Sequence, residues 1–309
     1  MRASLNGSRD RAGKSANLPL RQAHRKGQRK LNRIGGGELI SIFRWMALFS
    51  ALPAALASDL RTETLSAWDE YIQAANASML ERLRPDRSFL WIEEHPHLAQ
   101  QLHSGNLVIA PAGDANPKHV PSGLIHHWIG AIFLPNARIS DVLSVVRDYD
   151  HYRDYYPSAV LASKCLGQNG ADDRFSLLLI SKMALAKTAI ASQDQATFYE
   201  LDPRRWYSTS SSTRIQEIDD YGGPDQHLLP PDQGHGYIWR LYGIARYEQR
   251  DGGVYLEMEA MALSRDIPAP VRWFVDPLVR RLARDSISTT LRRTGEAVSA
   301  VSEAMMQPR

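Results

Sequence analysis

The chain has 309 residues, 43% hydrophobic and 23% charged, ordinary globular values that exclude collagen-like, coiled-coil and wholly disordered chains. Its net charge of +3 joins two unlike parts. Residues 1–57 hold 11 of the 37 bases and 2 of the 34 acids, leaving 26 bases against 32 acids in the other 252 residues. The basic character is confined to the first fifth, so the mildly acidic remainder argues against a nucleic-acid-binding body.

Residues 1–38 are rich in Arg, Lys, Ser, Asn and Gly, and their lack of apolar periodicity predicts no independent fold. Residues 45–57 follow as thirteen uncharged, mostly apolar residues, preceded by Arg44 and ending in Ala55-Leu56-Ala57. A basic segment, a short apolar run and an A-x-A site predict a secretory signal peptide cleaved after Ala57. The expected location is therefore periplasmic or secreted. The alternative is a membrane anchor formed by the uncleaved signal, although thirteen residues are too few to span a bilayer. Gly13-Lys14-Ser15 is not a phosphate loop, because Ser8 stands where that motif needs its first Gly. The single cysteine, Cys165, excludes an intrachain disulfide.

Residues 62–84 read as an amphipathic helix, with Leu65, Trp68, Ile72, Ala75, Met79 and Leu83 at spacings of three and four. Pro85 stops it. Residues 85–121 hold five prolines and read as a wrapping segment with little regular structure. Leu124–Leu134 is a strand, and Ile139–Tyr149 a short helix. Strands are expected over residues 159–167, 173–181, 186–199 and 205–218, then a loop from Asp219 to Gly234. Strands at 237–249 and 254–265 join through Arg250-Asp251-Gly252-Gly253, a strong hairpin signal. A long helix from Pro270 to about residue 303 closes the chain, with Leu291 and Val298 inward and Arg280, Arg284 and Arg292 outward. Three regions result: a leader at 1–57, a helical and irregular extension at 58–121, and a main domain at 122–309. The order predicts α+β, with a curved antiparallel sheet of about six to seven strands around the long C-terminal helix.

Three stretches carry a family resemblance: the strand ending in Leu134-Pro135 with its short helix; the aromatic run Tyr149-Asp-His-Tyr152-Arg-Asp-Tyr-Tyr156-Pro157; and the hairpin with its long terminal helix. Over residues 122–303 the chain resembles the START-like, or SRPBCC, helix-grip superfamily, the Bet v 1-like group of lipid-transfer proteins, cyclases and quinone chaperones. More narrowly, Gly123-Leu-Ile-His-His-Trp128 and Leu263-Ser-Arg-Asp-Ile-Pro268 look like an exported bacterial subgroup. The resemblance implies a cavity for a hydrophobic ligand between sheet and helix. It names no ligand and no reaction.

In a hairpin turned at residues 250–253, Arg246 stands opposite Glu257 and Ile244 opposite Glu259. Arg240, Tyr242, Arg246, Glu257 and Glu259 then share one face, and Trp239, Leu241, Gly243, Ala245, Leu256, Met258 and Ala260 the other. The charged face is either a sheet surface of cross-strand ion pairs or a lining turned inward. Trp128, Trp239 and Met258 are the expected apolar contacts, Arg240 the head-group anchor, and Tyr242, Tyr152 and Tyr156 further ligand contacts. The expected partner is a lipid or other apolar small molecule, with possible peripheral membrane contact and no nucleic acid. An enzyme of cyclase or hydrolase type, using Glu257 or Glu259 with His126, is the alternative. His95, His97 and His103 lack partners at ligand spacing, so no metal is predicted, nor any cofactor.

Overall fold

The computed structural model describes residues 59–306 apart from 114, 184 and 185; the leader expected over residues 1–57 lies outside them. The extension comprises α1 (Thr62–Glu81), a 3-10 turn (Trp91–Glu94), α2 (Pro96–His103), β1 (Val108–Pro111) and β2 (Lys118–Val120). After β3 (Gly123–Pro135) come α3 (Ile139–Val146), a second 3-10 turn (Tyr149–His151) and α4 (Tyr152–Tyr155). Next are β4 (Val160–Asn169), β5 (Asp172–Met183), β6 (Ala186–Asp202), β7 (Arg205–Asp219) and β8 (His227–Leu228). The chain ends in β9 (Arg240–Arg250), β10 (Gly253–Arg265) and α5 (Ala269–Met306).

These strands build one antiparallel sheet in the order β1-β3-β10-β9-β7-β6-β5-β4, with β2 on β3 and β8 on β7. Seven strands are long, as expected; β1, β2 and β8 have four, three and two residues. The sheet stays open, and the 38-residue α5 lies against one side of it. This is the α+β helix-grip arrangement. No helix among the described residues is long and apolar enough to cross a membrane.

Side chains alternate across a strand, and cross-strand partners share a face. Gly130 identifies the face that meets α5: a Cβ there would lie 2.7 Å from Leu291 and 2.9 Å from Ile287. This helix face carries the cluster of Trp128, Leu134, Leu256, Tyr247, Phe175, Phe198, Ile287, Leu291 and Val298. The opposite, extension face carries a second core, in which Trp68, Met79, Phe89, Leu90, Ile92 and Leu102 pack on Ile125, Ala131, Ile244, Met261 and Leu263. The near-continuous apolar run of β3 fits a strand covered on both sides, and its first nine residues are all buried.

Residues 85–121 hold more regular structure than their prolines suggest. β1 and β2 exist because the outer edge of β3 offers unpaired backbone groups: Val108 pairs with Ala131 and Lys118 with Ile125. The β9–β10 hairpin turns on Asp251 and Gly252, with φ of 55° and 77°, the left-handed pair that a two-residue turn requires. Its register sets Arg246 opposite Glu257 and Ile244 opposite Glu259, as the sequence predicts.

Candidate functional site

On the helix face, the strand pairings align one lateral row. Trp128 pairs with Ala260, Ala260 with Gly243, Gly243 with Ser210, and Ser210 with Ala196. Beyond Trp128 every member is small. The next row runs from Gly130 through Met258 and Ala245 to Ser208. Met258, Ala260, Ala262, Gly243, Ala245 and Ser210 are only half-buried, whereas β3 beside them is sealed. α5 covers β3 and leaves the middle of the sheet as a trough floored by short side chains. At its β3 end, Trp128 and the first half of α5 border an open hollow of about 520 Å³, lined by Arg280, Arg281, Arg284 and Asp285.

Three buried groups at that end lack full partners, one of them the Asp276 carboxylate through Oδ1. The indole Nε1 of Trp128 makes no hydrogen bond, although the residue is 9% exposed. His126, on the same face two residues earlier, contacts Ser264 Oγ through Nε2 at 3.1 Å, while its Nδ1 is unpartnered. Burial lowers the His126 pKa to about 4; the Asp276 carboxylate opposes that shift and the Arg280 charge adds to it. His126 is therefore neutral at pH 7.

The tyrosine run closes the far end. Tyr149 stacks on Phe175, with centroids 4.1 Å apart, and donates to Asp173 at 3.0 Å. Asp173 also takes Arg147 Nε at 2.9 Å and Nη2 at 2.7 Å. Tyr152 donates to the Val146 carbonyl at 2.5 Å, Tyr155 to Asp148 at 2.7 Å, and Tyr156 lies 2.8 Å from Thr294 Oγ1 of α5. Burial raises the pKa of both Tyr152 and Tyr156. Their hydroxyls fasten α3, α4 and α5 to one another.

The charged hairpin face points the other way, beneath the extension. Arg246 and Glu257 are each 1% exposed. Glu257 accepts the Trp91 backbone N–H at 2.6 and 2.8 Å, and its oxygen lies 3.9 Å from Arg246 Nε. Glu259 takes Arg246 Nη2 through one oxygen and His127 Nε2 at 3.1 Å through the other. Tyr71 of α1 meets His127 Nδ1 at 2.9 Å. Desolvation raises Glu257 to about 7, against the pull of the Arg246 charge and the Trp91 N–H. Burial alone would raise Glu259 as well; the His127 hydrogen bond and the Arg246 charge outweigh it and hold Glu259 at about 2.

The residues singled out from sequence thus divide between two faces. Trp128, Met258, Tyr152 and Tyr156 gather on the helix face. Trp239 packs in the extension-side core, Tyr242 donates to Asn76 of α1 at 2.7 Å, and Arg240 bonds Asp232 at 2.6 Å. His126 faces α5 while Glu257 and Glu259 face the extension, so the sheet lies between them. Among the described residues, no three His, Cys, Asp or Glu side chains converge on a metal position. Arg280 and Arg284 are exposed, as the sequence predicts, and they also border Trp128. Helical phase accounts for their place beside Trp128: Arg284 and Arg280 precede Leu291 by seven and eleven residues, two and three helical turns.

No family model matches the chain, and no curated protein matches it. Among the solved structures similar to it are three from different proteins. One is a STAR-related lipid transfer protein fragment from Xanthomonas axonopodis (TM-score 0.40, 18% identity, 62% of this chain and 98% of that one). Another is the Zhui aromatase/cyclase from Streptomyces sp. R1128 (TM-score 0.31, 16% identity, 58% and 93%). A third is truncated norcoclaurine synthase from Thalictrum flavum (TM-score 0.33, 9% identity, 62% and 100%).

Proposed function

We propose that the protein binds one apolar, chain-like small molecule non-covalently in the trough between the sheet and α5, and passes it on unchanged. One observation carries the reading: the half-buried row of Ala260, Gly243 and Ser210 running from Trp128 on the helix face. A sheet face made to pack shut carries large side chains, as the extension face does with Met261, Leu263 and Ile244. A row of Ala, Gly and Ser leaves room for something else to supply the apolar contact. The catalytic alternative pairs Glu257 or Glu259 with His126, and both glutamates lie on the other face.

The setting belongs to the same proposal. The basic leader, the apolar run 45–57 and Ala55-Leu56-Ala57 point to export into the cell envelope. A C-terminally tagged chain is expected as a shortened form in the envelope fraction; a full-length form confined to the cytosol would overturn export. Binding is tested by native mass spectrometry of the isolated protein, followed by solvent extraction. The expected result is a 1:1 adduct with an apolar compound, abolished by Ala260→Trp, which fills the row. Repeated isolation without an adduct, together with failure to take up an added long-chain compound, would sink the binding reading.

A further inference from the structure

The hollow at the β3 end of the trough is unlike the rest of it. Its floor is the Trp128 ring, and its wall comes from two successive turns of α5, Arg280 and Arg281 on one and Arg284 and Asp285 on the next. Arg281 lies 3.6 Å from Asp285. Arg280 and Arg284 form no ion pair or hydrogen bond among the described residues. Spaced by four, they project from the same side of the helix. Asp276, one turn before Arg280, acts with it on His126 and is not part of the lining of the hollow.

Trp128 adds an N–H donor that is buried and unpartnered. A buried donor without an acceptor costs about 1–3 kcal/mol, so a group that accepts from it would be held firmly. The hollow therefore presents two exposed guanidinium groups that have no ion-pair partner among the described residues, beside a Trp128 ring whose N–H has no acceptor in the protein. The planar guanidinium fork suits carboxylate and phosphate oxygens. From Trp128 the small-residue row crosses five strands, about 19 Å at ~4.8 Å per strand.

We infer that the occupant of the trough is an amphiphile with an anionic head, a carboxylate or a phosphate monoester. Its head lies between Arg280 and Arg284 over Trp128, and its chain runs along Ala260, Gly243 and Ser210. This rests on the binding reading above and adds the chemistry of the head. Arg240, expected to hold a head group, is engaged with Asp232 on the other face; the anchor moves to α5.

The test is calorimetric titration of the full chain with hexadecanoate, hexadecyl phosphate, hexadecanol and inorganic phosphate. A charge-assisted contact predicts that both anionic amphiphiles bind about 10- to 100-fold more tightly than hexadecanol. In the double variant Arg280→Ala/Arg284→Ala that ratio falls to within about threefold. Arg293→Ala, whose guanidinium pairs with Glu296 at 2.7 Å, keeps the ratio and controls for net charge. Equal binding of all three long-chain compounds overturns the anionic head and leaves the trough reading intact. Inorganic phosphate binding as tightly as hexadecyl phosphate overturns the amphiphile in favour of a simple anion site. Failure of every long-chain compound to bind overturns both readings.

Discussion

On the extension face, charged side chains are buried and matched; on the helix face, small uncharged side chains are left half-covered. Arg246, Glu257, Glu259 and His127 sit under α1 and the Trp91 turn, with backbone and side-chain partners for both carboxylates. One residue along each strand, on the opposite side of the sheet, Ala245, Met258 and Ala260 face the trough with nothing charged among them. Burying ions is expensive and is tolerated only where the surroundings are fixed. A face that must admit a ligand cannot supply fixed partners along its length. On the helix face the arginines lie by Trp128 and the 149–156 tyrosines by α4, while Tyr247 and Ser208 between them satisfy each other at 3.1 Å.

The contrast breaks first at Arg246. Arg246→Ala leaves two carboxylates buried with one partner fewer and is expected to cost about 3–5 kcal/mol in urea denaturation. The triple variant Arg246→Met, Glu257→Gln, Glu259→Gln should cost less than Arg246→Ala alone, because no buried ion is stranded. A loss under about 1 kcal/mol for Arg246→Ala is what an exposed pair gives, and it would show the extension face to be open.

A pH comparison separates the faces more finely. Glu257 has a folded pKa of about 7, above its ordinary value of 4.5, so the folded state holds its proton more tightly. Its contribution is lost as pH rises from 4.5 to 7. His126, lowered to about 4 from 6.5, works in the opposite sense: stability falls as pH drops through that window. The two partly cancel in the native protein, and Glu257→Gln uncovers the difference. Going from about pH 7 to about pH 4.5, the native protein should gain up to about 3 kcal/mol on this variant, read from urea midpoints at each pH. Parallel curves would mean that Glu257 titrates as an exposed carboxyl. Glu259, held at about 2, contributes stability that is lost only as pH falls from 4.5 towards 2.

Gly130 probes how tightly α5 is seated. Gly130→Ala places a methyl within 3 Å of Leu291 and Ile287, and both belong to the buried core. The helix must lift or shift, at an expected cost of about 1–3 kcal/mol by thermal melting. An unchanged melting temperature would show that α5 rides loosely over β3.

Much of this was legible in the order of residues, and the reasons it stopped are physical. Alternation and the Asp251-Gly252 turn fix which hairpin residues share a face, so the Arg246–Glu257 pairing could be read directly. Alternation does not say what covers a face. The sequence offered solvent or cavity for the charged side, while the actual cover is an extension whose short elements, such as β1, form only against the β3 edge. The trough floor was illegible for another reason: Ala260, Gly243 and Ser210 carry no chemical signal, and their meaning comes from four strands brought side by side. Arg280 and Arg284 are exposed, as their charge predicts; that they also border Trp128 follows from a helical phase shared with Leu291.

The smallest expected effect on stability is the one that bears most directly on the contrast. At Gly243 an added Cβ would lie 2.8 Å from Ser210 Oγ and 3.5 Å from the Glu259 carbonyl. The close neighbour is the end of a rotatable hydroxyl, unlike the packed Leu291 and Ile287 beside Gly130. Gly243 is not in the left-handed region, so alanine also restricts the unfolded chain, worth about 0.4–1 kcal/mol in its favour. Gly243→Ala should therefore change stability by under about 1 kcal/mol in either direction. It nevertheless adds a methyl to the middle of the row, and binding of hexadecanoate should weaken several-fold while the fold stays intact. A loss of several kcal/mol would mean that this part of the sheet is packed shut, with no trough for a chain to enter.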